Sequence, residues 1–318
     1  MFVTSFIPFK NNAQAYDKFE VELEALNIEN APGIHSYAYG IDSLGRWLVL
    51  GGRIDGLHQI QPFAAFLPSH NNTHAFVIDP YKEKVWSTSL KDLPTSIFEQ
   101  IQSTNQEFIQ RNNQLYIIGG YGYSPTAEDH ITYPYLTAVN VDGLTKAIIS
   151  GGKIDSYFCQ IHDEKLAVTG GNLGYLDTTF YLAGGQYFEG SYNPGGPDFG
   201  PGFIQKYTDG IRKFKLKDDG INLIISDYAE HLDTNNLHRR DLNMAPQIFP
   251  NGDLGYTMFS GVFQKHDDVP YLNSVDITSS GYKVNNNFDQ YLSHYQSANI
   301  PIYDEEHNVM HTVFFWWN

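Results

Sequence analysis

Only one cysteine, Cys159, stands in 318 residues, so no disulfide can form within the chain. Basic residues are also scarce: 20 Lys and Arg face 36 Asp and Glu, a formal charge of −16. A surface of that sign repels phosphate backbones and argues against a nucleic-acid partner. No apolar run approaches the ~20 residues a helix needs to span a bilayer, so membrane insertion is not expected. The opening Met1 to Phe9 has no basic n-region and no small-residue cleavage site, unlike a signal peptide. Catalytic signatures are missing as well. The sequence has no G-x-S-x-G elbow, no Walker loop and no G-x-G-x-x-G opening a helix. Its 12 histidines never fall at HxH or HExxH spacing, so no metal or other cofactor is expected.

What the chain has is aromatics and glycine: 22 Tyr, 21 Phe, 4 Trp and 28 Gly. That balance favours strands over helices. Apolar stretches run into glycine pairs at Trp47 to Gly52, Leu115 to Gly120, Leu166 to Gly171 and Phe180 to Gly185, with a weaker copy at Thr257 to Val262. Gly51, Gly119, Gly184 and Ser260 are spaced by 68, 65 and 76 residues. A unit recurring at such a period marks a radial or solenoid repeat. Glycine pairs at strand ends allow positive φ and close backbone approach.

Around each pair the turn signals predict four short antiparallel strands, the content of one propeller blade. Expected blades span about 33–94, 106–152, 156–230 and 237–290, with part of a fifth at 292–318, in a single domain. In the second blade the predicted fourth strand is 146–149, after an Asp142-Gly143 turn; in the third the first strand is 166–169. Residues 93–109, with Pro94 at the start, predict one connecting helix. Residues 186–207, rich in Gly, Pro and aromatics, predict a long binding loop.

The glycine pairs and the Val85-Trp86 strand after the Asp79-Pro80 turn resemble kelch repeats. Longer strings at 51–58, 119–123, 167–171, 207–214 and 237–243 resemble a group of kelch-type proteins of Bacteroidota, many secreted and with no assigned activity. The resemblance covers roughly residues 20 to 315 and implies a kelch-type β-propeller at the cell surface or outside the cell. The proteins it resembles close six blades and continue beyond the segment matching His311 to Phe315. A strand near residues 19–26 would fasten such a ring. In this chain four blades are complete and the fifth is partial, an exposed edge that the rest of a longer sequence or a partner chain would finish.

Propeller ligands meet the loops that converge on the axis, so the residues around the glycine pairs are the candidate ligand-binding set. They are Arg53, Asp55 and His58 after the first pair, Tyr121 and Tyr123 after the second, and His238, Arg239, Arg240 and Asp241 entering the fourth blade. Guanidinium forks suit carboxylates or sugar hydroxyls, and aromatic faces suit a sugar ring. The same arginines and carboxylates could instead form inter-blade ion pairs. The expected function is a non-enzymatic binding or surface-scaffold module for a glycan or protein. The alternative is a sugar-acid epimerase, lyase or hydrolase using Arg53, His58, His238 and Arg239, since some kelch propellers act on sialic acid.

Other residues carry less. Cys159 invites comparison with copper-radical oxidases on kelch propellers, but lies on a predicted strand and reads as a structural thiol. Asp218 and Asp219 form a turn that would hold Ca²⁺ only with further oxygen ligands. Lys213, Lys215 and Lys217 alternate with Phe214 and Leu216, a solvated strand face. Asn71-Asn72-Thr73 fits a glycosylation acceptor, a pattern common by chance.

Overall fold

Adjacent residues of the apolar runs serve opposite purposes. Leu115 and Ile117 enter one core, with Leu48, Leu50, Ala75 and Val77. Tyr116 and Ile118 enter another, with Leu173, Phe180, Leu182 and Phe214. Tyr181 and Ala183 enter a third, with Met244, Tyr256, Met258 and Ile277. Because strand side chains alternate between faces, a sheet buried on both faces needs an unbroken apolar run. Each core is therefore a seam between consecutive sheets.

The computed structural model describes residues 19–56, 59, 61–195, 200–291 and 295–315. The first sheet is β1 (Ala38–Ile41), β2 (Trp47–Leu50), β3 (His74–Asp79) and β4 (Lys84–Ser89), antiparallel in that order. Helix α1 (Thr95–Ile101) leads to the second sheet: β5 (Glu107–Arg111), β6 (Gln114–Ile118), β9 (Tyr135–Asn140) and β10 (Phe158–His162). Between β6 and β9 a separate hairpin forms from β7 (Tyr121–Ser124) and β8 (Asp129–Thr132). The third sheet orders β11 (Thr169–Leu176), β12 (Thr179–Gly190), β14 (Gly210–Asp218) and β15 (Leu223–Leu232), with β13 (Phe203–Tyr207) paired to the far end of β12. The fourth contains β16 (Asn243–Ile248), β17 (Leu254–Phe259), β18 (Ser274–Thr278) and β19 (Gly281–Asn285). The described part of the fifth pairs β20 (Ala298–Asp304) with β21 (Val309–Phe315).

These sheets stand around a common axis, a β-propeller, and the backbone shows it. Ser36, Asn105, Gly170 and Asp241, at matching points ahead of or at the start of the first strand of each sheet, all have positive φ, from 50° to 71°. Asn105 N–H donates to Ser36 O (3.3 Å), Gly170 N–H to Asn105 O (3.3 Å) and Asp241 N–H to Gly170 O (2.7 Å). A second series runs beside it. Gly52 N–H donates to Ser103 O, Gly120 N–H to Val168 O and Gly185 N–H to Arg239 O, at 2.7–2.9 Å. Gly52, Gly120 and Gly185 thus each join their blade to the next. A Cβ on Gly119 would lie 2.0 Å from Val168 O, at φ 63°, which explains why glycine is required there.

Several boundaries differ from the sequence-based expectation. Residues 146–149 are not a strand. They belong to helix α2 (Val141–Ser150), whose Val141, Leu144, Ala147 and Ile148 enter the first seam core. Asn140 caps it, accepting from Gly143 N at 2.8 Å, and Gly151 ends it at φ 69°. The fourth strand of blade two is β10, so that blade runs past 152 and includes part of the stretch assigned to blade three. The first strand of blade three begins at Thr169, not 166. The helix expected over 93–109 stops at Ile101, and β5 takes its end. Residues 186–207 hold strand ends as well as a loop. Residues 19–26 form no strand, although the Phe19 ring lies edge-on to His311 of β21 at 5.1 Å. Among the described residues no helix is long and apolar enough to cross a membrane.

Candidate functional site

The strand directions put every connection after a glycine pair at the same end of the propeller as the segments that lead into β1, β5, β11 and β16. The residue after each pair faces one of those segments: Arg53 pairs with His35, Tyr121 with Thr104, Gln186 with Thr169 and Val262 with Arg240. The connections themselves span 51–73, 119–134, 184–209 and 260–273.

Aromatic rings lock three of these loops together. Phe66 of blade one meets Tyr121 at 5.2 Å and Tyr192 of blade three at 5.5 Å, both edge-on. Tyr121 also stacks on His130 (5.7 Å) and meets Phe188 edge-on (5.3 Å), and Phe188 stacks on Phe203 (4.9 Å). Polar contacts fix the rings: Tyr121 Oη donates to Gly190 O at 2.7 Å, and Thr132 Oγ1 to Phe188 O at 2.7 Å. A Nε2 contact with Phe66 O at 3.0 Å holds His130. Burial drives the Tyr121 phenol well above its ordinary range and pushes the His130 imidazole down.

In blade one the buried Arg53 guanidinium grips Asp55 through Nε (3.0 Å) and Nη2 (2.6 Å). Its Nη1 donates to Asn71 Oδ1 at 3.0 Å, and the group lies over the Phe66 ring. His70 Nδ1 adds a contact to Asp55 at 3.0 Å, and His35 Nε2 stands 3.8 Å away. Burial pushes the Asp55 carboxyl up, but the Arg53 fork and the other donors outweigh it and hold the pKa below the usual range. Asn71 is buried under this pair, so the glycosylation pattern falls on an inaccessible side chain.

In blade four Arg239 is fully buried and satisfied by its own loops. Nε donates to Asn236 O (2.6 Å), Nη1 to Ser260 O and Asn273 O (2.9 Å each), and Nη2 to Asn273 Oδ1 (2.6 Å). The plane rests 4.0 Å from the Tyr271 ring centre. Burial lowers its pKa to about 10. Arg240 turns the other way: Nη1 binds Asp241, Nε donates to Tyr207 Oη at 3.0 Å, and Phe263 lies beneath. This pair is largely covered, with side-chain exposures of 18% and 16%. Burial disfavours the Arg240 charge, yet Asp241 and Tyr207 together raise its pKa. His238 stacks on Tyr207 with ring centres 3.8 Å apart and bonds to Asp209.

The sequence-derived set thus resolves into separate clusters. Arg53 and Asp55 form one, with Tyr121 close by through Phe66; Tyr123 is half-buried and contacts His130. Arg240 and Asp241 form another, which His238 joins through Tyr207, while Arg239 is bound by different partners beside it. Arg53 and Arg239 share no partner, and His58 lies outside the described residues. Sequence reasoning missed His35, His70, Phe66, His130, Tyr192 and Tyr207. The signal for His35 was its place three residues before an inner strand, the same place Arg240 holds. Elsewhere, Cys159 Sγ donates to Ile221 O, and Asp218 and Asp219 accept from the backbone of their own turn. Among the described residues no three His, Cys, Asp or Glu side chains are grouped to hold a metal. Two surface cavities, about 470 and 390 Å³, lie along the fourth sheet, share Phe249, Pro250 and Asp276, and touch none of these clusters.

No protein-family model matches this chain, and no curated protein does. Among solved structures the chain is similar to the one titled Structure of YjhT. The likeness is 12% in sequence, with a TM-score of 0.44, over 79% of this chain and 68% of that one.

Proposed function

We propose that this chain is a non-enzymatic binding or cell-surface scaffold module, which engages a glycan or a protein partner through the loops at the glycine-pair end. One observation carries the reading: the rings of Phe66, Tyr121, Phe188 and Tyr192 bind the loops of three blades into one platform. Loops preorganised by buried rings lose little entropy when a ligand docks on them. The kelch-type resemblance and a setting at the cell surface belong to the same proposal. So does a partner chain paired to the fifth sheet.

The sugar-acid enzyme reading needs Arg53 and Arg239 in one pocket with two histidines. Their donors are consumed within separate blades, so the geometry does not favour it. A glycan array together with a pull-down tests the binding reading. A ligand in either assay, weakened by Phe66→Ala, is the expected result. No ligand in both, with turnover of a small sugar acid, overturns it.

A further inference from the structure

The sequence contains six arginines, and all of them are engaged within the protein. Arg46 is tied to Asp42, Arg53 to Asp55, Arg212 to Glu230 and Arg240 to Asp241. Arg111 lies over Tyr175, 4.1 Å from the ring centre, and Arg239 is buried among carbonyls. A carboxylated sugar is normally gripped by a guanidinium fork. At the glycine-pair end every fork already holds a carboxylate or backbone oxygens, within a chain of net charge −16.

The Arg240–Asp241 pair, which keeps a small exposed face, offers something different. It presents a donor and an acceptor side by side with no net charge, which matches two neighbouring hydroxyls. Tyr295 precedes Gln296, whose Nε2 donates to Gly171 O at 3.3 Å, next to the Gly170 carbonyl that accepts the Asp241 N–H, and Tyr295 is 54% exposed, open to stack on a sugar. An anionic sugar would meet the Asp241 carboxylate and would have to displace it from Arg240, leaving the Asp241 charge unpaired in a largely covered site.

We propose that the ligand of this end is an uncharged glycan seated on the Arg240–Asp241 pair beside Tyr295, and that uronic and other carboxylated sugars are excluded. The assignment rests on the binding reading above and narrows it to one ligand class.

The test is an array of neutral, uronate-bearing and sialylated oligosaccharides probed with the whole chain, at low and high salt. Neutral glycans bind, with little salt dependence. Asp241→Asn frees the Arg240 fork and raises uronate binding about tenfold, the worth of about one charge-assisted contact. Asp241 has φ 50°, a conformation Asn tolerates well, so this variant keeps the backbone. Arg240→Gln, checked for folding by its thermal melt, loses the neutral glycans. Wild-type preference for carboxylated glycans overturns the assignment while leaving a binding module. Silence toward every glycan, with a protein captured instead, overturns the assignment and keeps the protein arm of the proposed function. Silence in both assays removes the assignment and the module reading together.

Discussion

Glu107 in β5 accepts the Gly171 N–H at 2.7 Å, tying the second blade to the third beside the axis. Matching positions in later blades carry asparagine: Asn172 donates to Leu242 O, and Asn243 accepts from Ser297 N–H, both at 2.8 Å. Only in the second blade is this clip a titratable group. Its other oxygen is buried and takes no hydrogen bond among the described residues. Burial pushes the carboxyl up to about 8, against the opposing pull of the Gly171 N–H and Arg212, and Asp241 raises it further.

The linkage has a definite sign. The folded-state value lies above the ordinary 4.5, so the folded chain holds this proton more tightly. Its contribution to stability is full below about 4.5 and is lost as pH rises toward 8. Glu107→Gln keeps an acceptor for Gly171 and removes the charge. Thermal melts across that window will show a smaller decline for the variant and a higher melting temperature than wild type at the alkaline end. Parallel pH profiles would refute this.

Gly119→Ala forces a methyl against Val168 O at positive φ, and about 3 kcal/mol or more of stability is lost. Gly151→Ala is the comparison. Its φ of 69° is similar but the added carbon meets open space, so the loss is about 1–2 kcal/mol. Urea melts of both variants separate close approach from backbone preference; equal losses would show that the contact with Val168 is unimportant.

Arg239→Met strips hydrogen bonds from Asn236, Ser260 and Asn273 and costs about 3 kcal/mol. Arg239→Lys does not restore stability, because one ammonium cannot reach carbonyls spread around a planar fork. Denaturant midpoints for the pair decide it, and full rescue by lysine contradicts the geometry.

Tyr121→Phe keeps the ring contacts and removes only the bond to Gly190 O, a loss of about 1 kcal/mol. The effect falls locally, on the turn after β12. Faster proteolytic cleavage within residues 186–207, with nearly unchanged cleavage elsewhere, is the expected pattern.

Much of the fold is legible because sheets buried on both faces write apolar runs into the sequence. Trp47–Leu50 and Val309–Phe315 are found at the expected places for that reason. The end of helix α2 resembles a strand in sequence because Ala147, Ile148 and Ile149 form a short apolar run. Its true signals were the spacing of Val141, Leu144, Thr145 and Ile148 and the caps Asn140 and Gly151. The Gly170-Gly171 pair misled differently: it opens an inner strand, whereas the other pairs close a second strand. Candidate residues were legible by type but not by role. Whether an arginine faces a ligand or its own loop depends on partners far along the chain, such as Asn71 for Arg53 and Asn273 for Arg239.

The hub of the molecule is joined main chain to main chain, Ser36 to Asn105 to Gly170 to Asp241. No substitution short of proline deletes such a joint, since every other residue brings the same amide and carbonyl. Change at the rim is thereby uncoupled from the pitch of the blades. The loops of this end are free to be rewritten for a new ligand while the wheel beneath them keeps its spacing.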